Sequence, residues 1–128
     1  MADENDAPDE RLVELAHQMF DLARAGEGDQ LAAYVEAGVP VDLTDAAGNT
    51  LLMLAAYHGH PDTVRTLVAA GADVNRANDR GQTPLAGAVF KDEAEVVRVL
   101  VAAGADPDAG NPTARATAEM FGKRGLFG

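Results

Sequence analysis

With no cysteine in the chain, its three histidines are what remains for metal chemistry. His58, His60 and Asp62 fall within five residues of one another, and two imidazoles with a carboxylate are ligand types that can close around a divalent cation. His17 stands apart, next to Ala16, and reads as a surface or boundary residue. Asp73 and Asp106 invite an acid–base reading. Yet each ends the same Gly-Ala-Asp triplet, 33 positions apart, so both read as loop-forming residues that travel with a repeated unit. The sequence has no Gly-x-Ser-x-Gly elbow, no His-Glu-x-x-His and no glycine-rich phosphate loop. Nothing here assembles into catalysis. The expectation is a protein that is not an enzyme and uses no metal or cofactor.

The repeat that carries those aspartates is the main organising signal. Gly48 to Asp73 recur 33 positions on, from Gly81 to Asp106. Thr50 falls on Thr83, Leu52 on Leu85, Ala55 on Ala88, Val64 on Val97 and Leu67 on Leu100. A fixed period of this length marks stacked units, none of which can bury its apolar face alone. Each unit reads as turn, helix, short loop, helix. Asp45 to Gly48 make the turn, and Thr50 caps a helix from Leu51 to about His58. Pro84 takes the first turn of the matching helix, where a missing N–H costs nothing. Gly59 ends the helix, Pro61 and Asp62 start the next, and Gly71 or Gly104 stops that one. Val64, Leu67 and Val68 face inward while Arg65, Thr66 and Ala69 face out. Upstream, Leu12, Leu15, Ala16, Met19, Phe20 and Ala23 follow helical steps, giving a helix from about Glu10 to Ala25. Gly26-Glu27-Gly28 breaks it, and Asp29 caps a second helix through Ala37. Downstream, Pro112 and Thr113 start a short helix through Met120 and Phe121. Stepping forward by 33 places Ala116, Ala118 and Phe121 on Thr83, Leu85 and Ala88. Leu126 and Phe127 either fold back over that helix or remain loose.

The period and its words, Gly81-Gln82-Thr83-Pro84-Leu85, Gly59-His60 and Gly71-Ala72-Asp73-Val74-Asn75, closely resemble the ankyrin repeat family. The resemblance implies an all-α ankyrin-repeat solenoid of paired antiparallel helices over residues 10–128. It has about three full repeats, near residues 12–44, 45–77 and 78–110, and a truncated C-terminal capping repeat over 111–128. It implies that His60 holds neighbouring loops together. It also implies binding of a protein partner in a concave groove lined by turn tips and by the ends of the first helices. Carried over position by position, the groove residues are Asn49, Tyr57 and His58 with Ala46 and Ala47, then Arg80, Gln82, Phe90 and Lys91 with Asp79. The flanking units add Arg24 and Ala25, and Arg115, Lys123 and Arg124. Tyr57 and Phe90 occupy equivalent positions and should stand side by side as anchors. Two departures stand out. Leu51 and Met53 replace the family's proline and histidine in one repeat, and Ala86 replaces the histidine in the next. The threonine-to-histidine hydrogen bond of the turn is therefore absent from both.

Composition narrows the classes. The chain is 128 residues, one domain by length, 47% hydrophobic but only 5% aromatic, so its core must be Leu, Val and Ala. No apolar run reaches the length of a membrane span. The net charge of −11 and an isoelectric point near 4.4 argue against nucleic acid as a partner. Residues 1–9 are acidic with almost nothing to bury, and read as a disordered, solvating tail. That start lacks the pattern of a secretory signal, so the expected location is the cytoplasm and the expected state a monomer. Abundant Ala, Gly, Asp and Arg with lysine only at Lys91 and Lys123 is the bias of a GC-rich bacterial genome. The alternative to an interaction module is an acidic inhibitor or immunity-type regulator that blocks an enzyme or a nucleic-acid-binding protein, its acidity mimicking phosphate.

Overall fold

The computed structural model describes residues 10–127, so the stretch read as an acidic tail lies outside the described residues. Among the described residues, seven helices follow one another: α1 (Glu10–Ala25), α2 (Gly28–Glu36), α3 (Leu51–Tyr57), α4 (Pro61–Ala69), α5 (Pro84–Phe90), α6 (Ala94–Ala102) and α7 (Ala114–Met120). They form two layers. In one, α1 packs on α3, α3 on α5 and α5 on α7; in the other, α2 packs on α4 and α4 on α6. Within each unit the two helices pack on each other, α3 on α4 and α5 on α6. The expected all-helical solenoid is what forms, and no described helix is long and apolar enough to cross a membrane.

The core is thin and aliphatic. Leu51, Leu52, Leu67, Leu85 and Leu100 are fully buried, with Met19, Leu31, Val64 and several alanines between them. Small residues let the helices approach closely: a Cβ on Gly87 of α5 would sit 2.7 Å from the Met53 Cε of α3. Val68 is half-buried, but its counterpart Val101 is 46% exposed, because no further helix packs beyond α6 in its layer. Leu12 is 64% exposed for a similar reason: α1 is 16 residues long and overhangs the shorter α3 beside it.

Side-chain caps hold the helix starts. The Thr50 hydroxyl accepts from the Met53 amide at 3.0 Å, and Thr83 accepts from Ala86 at 3.1 Å. Both threonines therefore keep a cap, each bonded to the backbone of the residue that replaces the family's histidine. Asp29 does not cap α2; it lies inside the first turn, and Glu27 at the cap bonds no helix amide with its side chain, which instead accepts from Gln30 Nε2 at 3.2 Å. Asp45 Oδ1 accepts from the amides of Ala47 and Asn49, and Asn78 Oδ1 accepts from Arg80 and Gln82 in the same way, so one turn is built twice. Asp73 and Asp106 close the other loops, each accepting from the amide two residues on.

The last unit departs from the expected spacing. Its cap is Thr113, which accepts from Ala116 at 3.0 Å, and Thr113 follows Thr83 by 30 residues rather than 33. The left-handed residue after each first helix repeats the shift: Gly26, Gly59 and Asp92 are followed by Gly122. Three residues are missing from the connecting loop. Phe90 is therefore matched by Met120 and Lys91 by Phe121, where a constant period had matched Phe90 with Lys123. After α7 the chain folds back, and Phe127 packs against the core while Leu126 remains exposed.

Candidate partner-binding groove

The ends of α1, α3, α5 and α7 and the tips of the intervening turns form one face of the stack. Arg24, Asn49, Tyr57, His58, Arg80 and Gln82 line a single groove pocket of about 270 Å³ on that face, with Met53 among its lining residues. With Ala47, also on the lining, seven of the residues expected from sequence thus come together. Phe90 and Lys91 continue the row. The Tyr57 and Phe90 rings stack with centroids 6.5 Å apart and planes 12° from parallel, and Lys91 Nζ lies 5.1 Å from the centre of the Tyr57 ring. Tyr57 is half-buried because α5 offers no side chain at Gly87, which lets the ring lie against that helix; Phe90 stands 49% exposed.

Three expected residues sit elsewhere. Lys123 forms an ion pair with Asp92, and the Arg124 guanidinium lies 3.8 Å from Glu119. Arg115 turns to Asp108, with Nε 2.8 Å from its carboxylate, and reaches the Phe127 carbonyl. In their place the three-residue shift brings Phe121 and Met120, 48% and 71% exposed. Phe121 meets Phe90 edge to face at 5.6 Å, extending the ring row to three. The signal that could have found them was Thr113 itself: taken as the counterpart of Thr83, it resets the period to 30.

The histidines divide. His60 Nε2 lies 2.7 Å from the Arg24 carbonyl oxygen, a bond across 36 residues that ties α4's start to the end of α1. His58 lies exposed at the groove, edge-on to Tyr57 at 5.7 Å. Partial burial, with the nearby positive charges of Arg24, His60 and Lys91, holds the His58 imidazole below its ordinary pKa. Its surroundings are electropositive in a protein of net charge −11.

A sequence model of ankyrin repeats in three copies matches residues 19–111. The chain belongs to the ankyrin repeat family. A stretch of 54 residues is 47% identical to an ankyrin repeat protein of Pseudomonas aeruginosa; it takes in 42% of this chain and 32% of that relative. The chain therefore spans about a third of the length of the curated relative it matches. Ankyrin repeats are generally protein–protein interaction modules, and the face described above is the part of this solenoid with exposed aromatic rings.

Proposed function

We propose that this ankyrin repeat protein is a non-catalytic binding module that holds a segment of a protein partner in its concave groove. Tyr57 and Phe90 act as anchors, with Asn49, His58, Arg80, Gln82 and Lys91 setting specificity around them. The observation that carries the reading is the Tyr57–Phe90 stack, in which Phe90 stands 49% exposed on the groove face beside a half-buried Tyr57. Large rigid side chains offer contact area at little entropic cost, which is why aromatic residues dominate interface energies. The histidines support a role without chemistry, since His60 is engaged in a structural bond and His58 stands beside a ring.

The test is a matched set of substitutions measured against a partner captured from native lysate and then purified. Tyr57→Ala and Phe90→Ala should each weaken binding by about 2 kcal/mol, roughly thirtyfold, with melting temperature little changed. Arg98→Ala on exposed α6 should leave affinity within about twofold, as expected for a residue that does not touch the partner. Loss of binding from Arg98→Ala with none from the rings would move the interface to the other face.

A further inference from the structure

The two ends of the groove differ in chemistry. At the α1–α3 end the pocket is walled by Arg24 and Arg80, and the Asp45 and Asp21 carboxylates beside it are engaged. Asp45 accepts from the Ala47 and Asn49 amides and lies 3.9 Å from Arg24 Nη2, and Asp21 pairs with Arg24 at 3.0 Å. Asp79, exposed at the turn tip beside Arg80, directs its carboxylate toward Gly48, into the space left by the missing side chain. Among the described residues, four bases have no carboxylate partner, and two of them, Arg80 and Lys91, belong to the groove row, the others being Arg76 and Arg98. At the α5–α7 end the bases are paired: Lys123 with Asp92, and Arg124 beside Glu119. The exposed apolar side chains there are Phe90, Met120 and Phe121, beside the solvent-facing Asp92, Glu119 and Arg124.

We propose that the groove takes a protein segment that is itself polarised, with one or two carboxylate side chains at one end and apolar side chains at the other. The proposal rests on the groove being the binding surface and adds the class and the direction of the segment. A carboxylate entering the pocket meets the Arg80 guanidinium, whose planar fork suits it, with Lys91 over the neighbouring Tyr57 ring, while Arg24 is already held by Asp21 and Asp45. Farther along, aliphatic or aromatic side chains cover Phe90, Met120 and Phe121 and take them out of water. A long polyanion is a poorer occupant, because the net charge of −11 repels it beyond the local cationic pocket. The segment lies along the stack with its acidic end toward α1.

The experiment uses the full chain and a phage-displayed library of random 16-residue peptides as the probe. The expected result is enrichment of peptides with Asp or Glu separated from a cluster of Leu, Ile, Phe or Trp. Binding of synthetic versions should weaken about tenfold or more with Arg80→Glu, less so at high salt, and similarly with Phe121→Ser at any salt. Selection against Arg80→Glu protein should replace the acidic end with a basic one. Arg80 and Phe121 are exposed, and circular dichroism of each variant verifies that it folds. Enriched peptides that require Tyr57 but are basic or uniformly polar would overturn the polarity and leave the groove standing. Peptides indifferent to Tyr57→Ala, Arg80→Glu and Phe121→Ser alike would overturn both, as would failure of the library to yield any binder.

Discussion

Two glycines with the same backbone conformation should differ in what they tolerate, and the difference can be worked from their surroundings. Gly71 ends α4 at φ +97°, and a Cβ built there would meet nothing within 4 Å. Gly81 lies in the tip of the next turn at φ +79°, and a Cβ there would be 2.8 Å from the Asn111 carbonyl oxygen. Alanine at either site bears the left-handed penalty of about 1–2 kcal/mol. At Gly81 the clash is with backbone, which cannot rotate away, so the two turns must separate. That breaks the bond from the Asn111 amide to the Gly81 carbonyl, 2.8 Å long, and adds roughly 0.5–1.5 kcal/mol. Gly71→Ala should therefore cost about 1–2 kcal/mol and Gly81→Ala about 1.5–3.5 kcal/mol. With a urea slope of about 2 kcal/mol/M, midpoints followed by circular dichroism should fall by roughly 0.5–1 M and 0.8–1.8 M. Hydrogen exchange should also quicken in α7 for Gly81→Ala and not for Gly71→Ala, because Asn111 leads into that helix. Equal midpoints, or a larger loss at Gly71, would refute the contact between turns as the deciding feature.

The remaining predictions concern the core and the groove's one titrating ring. Leu67→Ala removes a fully buried side chain from the middle of the stack and should cost about 2–5 kcal/mol. Arg65→Ala, which removes solvent-exposed pairs to Asp62 and Glu95, should cost no more than about 1 kcal/mol; comparable urea midpoints for the two would sink the inward and outward assignment. The lowered pKa of His58 means that the folded state favours its neutral form. That contribution is present above the unfolded value near 6.5 and is lost as the pH falls below it, through the lower folded value. His58→Gln should therefore flatten the loss of melting temperature between about pH 7 and pH 5, and an unchanged profile would remove His58 as its source.

Much of the fold was legible because it is written in local chemistry. Thr50 and Thr83 cap, Pro61 and Pro84 open helices, Gly59 and Gly71 end them, and inward Leu67 and Leu100 recur with the turns. Each of these preferences belongs to a few neighbouring residues, so the 33-residue period determined helices, layers and family by itself. The groove row Tyr57–Phe90 was legible for the same reason, since equivalent positions in a stack must be neighbours. The tertiary structure decided what a constant period could not. A loop shortened by three residues leaves each helix intact but moves its partners, and although Thr113 hints at the shift, it is the packing of α7 on α5 that brings Phe121, not Lys123, against the Phe90 ring. The division between His60 and His58 was expected from the resemblance, but the acceptor that His60 finds, the Arg24 carbonyl, depends on where another repeat's backbone lies. So does Phe127, whose apolar character left lid and loose end equally open until the exposed side of the last unit gave it a surface to cover. Local preferences fix elements; contacts between elements far apart in the chain fix which side chains are left facing a partner.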